Sequence, residues 1–239
     1  MVIISKEHDI MLFENSEQKE KSKYEDNEEY FKSEANKKPS WGWYVLVGIG
    51  VLSFLGEYKI EGVIAVIIGL LCIYGSSLTP DDSIIDKFVA DELGDLKARA
   101  LEKFGIEEES VSAINPISFS GYIYNGARVK KGKDGKYRSD EYLATIFLFS
   151  ETELYSYQYG FSLTENNRHE VTDVYFYKDI VAVSTETNDA VADDHRFRYE
   201  SFKLVTTGGN ALSCSVTGDI DTQNTINTMR RFIRAKKEI

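Results

Sequence analysis

The stretch Tyr142–Ser162, YLATIFLFSETELYSYQYGFS, sets the character of the chain. Its two halves, Tyr142–Phe149 and Glu153–Ser162, are dense in β-branched and aromatic residues and read as strands. The same pattern begins at Pro116. Further strands are expected near Ile117–Tyr124, Glu170–Tyr177, Ile180–Thr185, Phe197–Thr206 and Ala211–Thr217, giving seven in all. Turn residues separate them, among them Asn125-Gly126, Lys133-Asp134-Gly135, Glu165-Asn166-Asn167, Thr187-Asn188-Asp189 and Gly208-Gly209-Asn210. In the last strand Leu212, Cys214 and Val216 share one face, which assigns Cys214 to packing. A final helix begins around Asp221-Thr222, with Ile226, Met229 and Ile233 on one face and Phe232 beside them. Residues 114–239 therefore read as an antiparallel β-domain capped by a C-terminal helix.

Working back from this domain, Pro80 and Asp81-Asp82-Ser83 form a helix-start signature. Apolar residues at Ile85, Phe88, Val89, Leu93, Leu96, Ala100 and Phe104 then define one face of an amphipathic linker helix over residues 82–105, stopped by Gly105. Two uncharged runs precede it, Trp41–Gly56 (WGWYVLVGIGVLSFLG) and Gly62–Thr79 (GVIAVIIGLLCIYGSSLT). A bilayer core about 30 Å thick needs about 20 helical residues. With Pro39-Ser40 and the loop extending the first run, residues 41–79 are expected to be a transmembrane helical hairpin. Glycines at 48, 50, 56, 62 and 69 would let its two backbones approach. Lys32, Lys37, Lys38 and Lys87 outside it, against Lys59 in its turn, place both termini in the cytoplasm. The expected location is the inner or plasma membrane, with a multi-pass topology. Residues 1–40 read as a polar tail, partly disordered. The alternative is a docking segment with a short helix around Phe13 or Tyr30-Phe31.

Composition narrows the function. The 239 residues carry a net charge of −11, which argues against a nucleic-acid partner. Cys72 and Cys214 are too few for a disulfide framework or a four-ligand zinc site. His8, His169 and His195 form no metal-binding pair. Gly132-Lys133 lacks the glycine spacing of a phosphate-binding loop. Asp219-Ile220-Asp221 begins like a calcium loop, but Arg230 stands at its twelfth position. The expectation is a non-enzyme with no cofactor and no metal.

Three phrases carry a family likeness: Leu154-Tyr155-Ser156-Tyr157-Gln158-Tyr159, the run Tyr175–Ser184, and Phe202-Lys203-Leu204-Val205-Thr206-Thr207. Their order resembles bacterial pleckstrin-homology-like (PH-like) and GRAM-like domains, over roughly residues 114–239. The resemblance implies an α+β fold: a transmembrane hairpin, a linker helix, then a seven-stranded antiparallel PH-like β-barrel or sandwich with its helical cap. It also implies a membrane-anchored, non-catalytic cytoplasmic interaction module that binds a protein partner or its own copies as a homo-oligomer. The loop Gly126–Asp140, GARVKKGKDGKYRSD, carries Arg128, Lys130, Lys131, Lys133, Lys136 and Arg138. It loosely resembles the loop that grips lipid headgroups in PH domains. The alternative function is thus an anionic-lipid headgroup sensor, with these six residues binding the anion. The bland reading of the same loop is a solvated hairpin tip.

Overall fold

The computed structural model describes residues 21–33, 41–55, 59–77, 81–111, 113–192, 195–216 and 220–237. Among these, residues 21–32 form helix α1, inside the segment read as a polar tail. Tyr24, Asn27, Tyr30 and Phe31 recur at helical spacing and make its inner face. The Tyr24 ring meets Phe88 edge-on at 5.5 Å, and Asn27 Nδ2 donates to Leu163 O at 2.7 Å. The other position expected for a short helix, around Phe13, lies outside the described residues.

Helices α2 (Trp41–Leu55) and α3 (Lys59–Ser77) pack as an antiparallel arm. Glycine sets their separation: a Cβ on Gly50 would lie 2.8 Å from Gly62 O, and one on Gly69 would lie 2.5 Å from Val47 Cγ2. A Cβ on Gly48 would meet nothing within 4 Å. The transmembrane hairpin is not what these helices form. At 1.5 Å per residue, the 15 residues of α2 span only about 22 Å. The turn expected to be polar instead supplies the first turn of α3, which puts Lys59 and Glu61 inside that helix. Among the described residues no helix is long and apolar enough to cross a membrane. The bilayer partner, the multi-pass membrane location, the cytoplasmic placement of the termini and the membrane-anchored function all rested on that hairpin. They are withdrawn with it.

The linker region is two helices, α4 (Asp82–Leu93) and α5 (Leu96–Phe104), broken at Gly94-Asp95. Gly105, at φ 63°, ends α5 in the left-handed region that glycine tolerates best.

Among the described residues nine strands follow, all in antiparallel pairs: β1 (Ile117–Tyr122), β2 (Val129–Lys131), β3 (Tyr137–Ser139), β4 (Glu141–Phe149), β5 (Glu153–Ser162), β6 (Arg168–Phe176), β7 (Ile180–Ala192), β8 (His195–Thr206) and β9 (Ala211–Val216). They form three sheets, ordered β1-β4-β5-β6, β2-β3 and β7-β8-β9. Helix α6 (Ile220–Lys237) comes last. The seven expected strands are present, and the extra pair, β2-β3, arises within the basic loop. The expected PH-like barrel is not formed. The ladder partner of β1 is β4 and that of β9 is β8, so among the described residues no hydrogen-bonded seam joins the two larger sheets. They meet by packing instead, with Gly121 set so closely on Ser215 that an added Cβ would lie 2.8 Å from its carbonyl oxygen.

Two cores result, and β4 serves both. Ala144, Ile146 and Leu148 face one cluster with Tyr30, Ile85, Phe88 and Ala100 from the helices. Phe147 and Phe149 face the other, with Phe202, Leu204, Ile226 and Met229. Burial on both faces is why Ile146–Phe149 is a continuous apolar run rather than an alternating one.

Candidate aromatic cleft and its basic ribbon

The basic loop is not a solvated tip. Its β2-β3 ribbon pairs Val129 with Ser139, Lys130 with Arg138, and Lys131 with Tyr137. Alternation puts Lys130 and Arg138 on one face and Lys131 and Tyr137 on the other. The first face is turned to the helices. Lys130 Nζ donates to Tyr30 O and to Ser33 Oγ, both at 2.6 Å, and lies 4.3 Å from the Tyr30 ring centre.

Arg138, with only 2% of its side chain exposed, is chelated by two carboxylates. Nε and Nη2 donate to Asp86 at 2.9 and 2.8 Å, and Nη1 and Nη2 donate to Asp134 at 3.0 Å. Burial works against its charge, but these acceptors outweigh it and the guanidinium pKa is raised. In return, Arg138 holds the Asp134 carboxyl down at about 2. Arg128 makes the same kind of fork. It donates to Asp140 at 2.6 Å and to both Glu28 oxygens at 2.9 and 2.6 Å, and lowers the Glu28 pKa to about 2.

Three of the six expected anion-binding residues, Arg128, Lys130 and Arg138, are thus tied to acids, carbonyls and hydroxyls of this same chain. Lys131 lies 5.5 Å from the Tyr137 ring centre. Lys133 and Lys136 are exposed. Lys136 is 3.9 Å from Asp134, with 78% of its side chain accessible.

The ribbon walls a cleft of 480 Å³, to which it contributes Lys136, Tyr137 and Arg138. Its rings come from four places in the chain: Tyr122 at the end of β1 and Tyr124 just beyond it, Tyr137 of β3, Tyr142 of β4, and Phe197 and Tyr199 of β8. Tyr137 and Phe197 stack at 3.8 Å, almost parallel at 7°. Tyr124 meets Phe197 and Tyr199 edge-on at 5.0 and 4.8 Å. Tyr122 meets Tyr142 edge-on at 4.9 Å. The Tyr124 hydroxyl donates to Tyr137 O at 3.2 Å, which ties the ribbon to the end of β1.

Burial raises the pKa of Tyr122, Tyr124 and Tyr142, that of Tyr124 to about 12, so all three phenols are neutral hydrogen-bonding groups at neutral pH. Asp86 and Arg138 lie on the helix side of the cleft, already bound to each other. Lys136 and Arg198, with side chains 78% and 80% exposed, bring positive charge to the lining, each beside an acid: Lys136 by Asp134 and Arg198 by Asp189, whose Oδ1 is 3.5 Å from its Nε.

Sequence reasoning did not single out these aromatic residues. The i, i+2 pairs Tyr122/Tyr124 and Phe197/Tyr199 were visible signals, since each pair puts both rings on one side of extended chain. That the two pairs converge was not visible. A larger crevice of 660 Å³ runs along α1, but there Glu28 is already paired with both Lys32 and Arg128.

No family model, no curated protein and no solved structure matches the chain. The resemblance to bacterial PH-like and GRAM-like proteins with a transmembrane hairpin therefore has no support from relatives, and none from the sheets, which do not close. It is withdrawn, together with the PH-type interaction module and lipid-sensor functions drawn from it.

Proposed function

We propose that the protein is a non-catalytic binding protein whose aromatic cleft takes a planar aromatic ligand bearing an anionic group. The observation that carries this reading is the convergence of six aromatic side chains on one cleft whose lining also holds Lys136 and Arg198. The volume lies within the usual range for small-molecule sites, and aromatic walls with a few polar groups are their usual lining. A ligand ring would stack on or stand edge-on to these tyrosines, each such aromatic pair being worth about 0.5–1.5 kcal/mol beyond area burial. The anionic group would sit by Lys136 and Arg198, where partial exposure keeps the desolvation cost small. The state of the ionisable groups supports the non-catalytic reading. Asp86 is held by Arg138, and the buried phenols are far from titrating at neutral pH, so neither is poised as a general base.

Tyrosine fluorescence with 2-naphthyl phosphate as titrant tests the reading. Saturable quenching is expected, weakened about tenfold or more by Phe197→Ala and by the Lys136→Gln/Arg198→Gln pair, the scale of one lost stacking or charged contact. Cyclohexyl phosphate, which has no aromatic ring, should bind far more weakly. Equal binding of the two phosphates, or no saturable binding of either, contradicts it.

A further inference from the structure

Helix α1 is separated in sequence from the cleft and contributes no residue to its lining. It is nevertheless tied to the wall that carries Tyr137. The Tyr30 hydroxyl donates to Asp82 Oδ1 at 2.9 Å, and the other oxygen of Asp82 accepts the Asp134 backbone N–H at 3.2 Å. Asp134 holds Arg138, and Arg138 pairs across the ribbon with Lys130, which returns to Tyr30 O and Ser33 Oγ. The circuit closes on α1. The ribbon has only three paired positions, and an isolated two-stranded hairpin of that size is marginal at best in water. Its order therefore depends on what grips its two faces: α1 and α4 on one side, Phe197 and Tyr124 on the other.

We propose that α1 is a positioning element of the cleft. Docking of Tyr30 and Ser33 onto Asp82 and Lys130 sets the β2-β3 ribbon, and the ribbon sets Tyr137 and Lys136. Release of α1 loosens the ribbon and withdraws that wall. The arm is placed to act on this contact from both of its ends. Seven residues separate residue 33 from the start of α2, and four separate the last residue of α3 from Asp82. The two chain segments that bracket the arm thus touch directly, through the Tyr30–Asp82 hydrogen bond, the Tyr24–Phe88 ring contact and the Lys23–Asp91 ion pair. A force or binding event on the arm that separates them acts directly on the ribbon. The effect on ligand affinity rests on the cleft being the binding site, whereas the effect on the ribbon does not.

The test uses the full chain with Tyr30→Phe and Lys130→Ala, neither of which alters the cleft lining, and Lys130→Arg as the conservative control. Three readouts are combined: amide exchange over residues 129–139, the ¹⁹F signal of Tyr137 in 3-fluorotyrosine-labelled protein, and the Kd for 2-naphthyl phosphate. Retained amide protection in β4 and β5 reports that each variant is folded. Both disruptive variants should lose about tenfold protection in the ribbon and shift the Tyr137 signal toward that of free tyrosine, the scale of one ordinary hydrogen bond. Lys130→Arg should stay close to wild type. Unchanged ribbon exchange with an unchanged Tyr137 signal overturns the proposal. So does a loosened ribbon with unaltered naphthyl phosphate affinity in a wild type that binds. If the wild type binds no naphthyl phosphate, the binding function fails, and exchange together with the fluorine signal still decides whether α1 positions the wall.

Discussion

Arg138 shows how much one side chain can organise. It is almost wholly buried, and its donors are taken by Asp86 and Asp134 in a double fork that planar guanidinium geometry allows and an ammonium does not. Arg138→Ala should lower stability by about 3 kcal/mol, the low end for breaking a buried pair, because Asp86 is itself half exposed. A denaturant melt would show it, and a loss well under 1 kcal/mol would mean that the fork adds little.

Glu28 and Asp134 predict a pH response of a definite sign. Both are held at about 2 in the folded state, against ordinary values of 4.5 and 3.8. A folded pKa below the unfolded one gives stability that is complete above the unfolded value and lost as pH falls through the folded one. Docking of α1 should therefore be pH-independent above about 4.5 and weaken toward about 2, seen as loss of α1 amide protection after correction for intrinsic exchange. Glu28→Gln should flatten part of that profile, since Lys32 would then lose the Glu28 carboxylate and Arg128 would keep only that of Asp140. Protection that stays constant to pH 2 contradicts the assignment. Cys214 needs no such test of reactivity: burial raises its thiol pKa to about 12, in keeping with the packing role its alternation implied.

At the scale of elements, the arm and α6 make contrasting predictions. In the arm, Gly62→Val should push α2 from α3, because even a bare Cβ would lie 2.6 Å from Gly50 O, whereas Gly48→Ala should be tolerated. Spin labels at Ile49 and Ile67 would report a longer, broader distance only in the first variant. In α6, Met229→Ala should cost about 2–5 kcal/mol by opening a cavity against the inner sheet faces. A melt unchanged in that variant would show that α6 is not the cover of that core.

The elements also show what the sequence could reveal. Strands were legible because alternation depends only on neighbours two apart, and Glu153–Ser162 matches β5 residue for residue. The β2-β3 ribbon was hidden because its inward cations, Lys130 and Arg138, look like solvated charge until Tyr30 O, Ser33, Asp86 and Asp134 are brought against them. Helix α1 was obscured for a related reason, since Asn27 and Tyr30 on its inner face are anchored by hydrogen bonds rather than by apolar mass alone. The single linker helix failed at Gly94-Asp95, where the apolar spacing continues although Asp95 leaves the helical conformation. The hairpin reading rests on uncharged runs, whereas α3 begins at Lys59 and takes Lys59 and Glu61 into its first turn.

Over the whole molecule, the charge of −11 sets a background that repels anions, and the cleft has to overcome it locally with Lys136 and Arg198. Affinity for an aryl anion should thus be a balance of ring contact and short-range attraction. Raising salt screens both the local attraction and the distant repulsion, while stacking is little changed. Neutralising Lys136 and Arg198 should make the salt response reverse or vanish, with stacking left as the main contribution. What joins the cleft to the rest is the layered arrangement: helices α1, α4 and α5 on one face of the β4 sheet, and the second sheet with α6 on the other. The cleft lies where the first layer, the ribbon and β8 meet, a junction that no single element defines.

The most direct measurement is a crystal structure of the full chain with 2-naphthyl phosphate. The account predicts the naphthyl ring against Tyr122, Tyr124 and Tyr199, walled by the Tyr137–Phe197 stack, with the phosphate within ion-pair reach of Lys136 or Arg198. A ligand seated elsewhere, such as the basic groove lined by Arg230, Arg234 and Lys237, with the aromatic cleft empty, would contradict it.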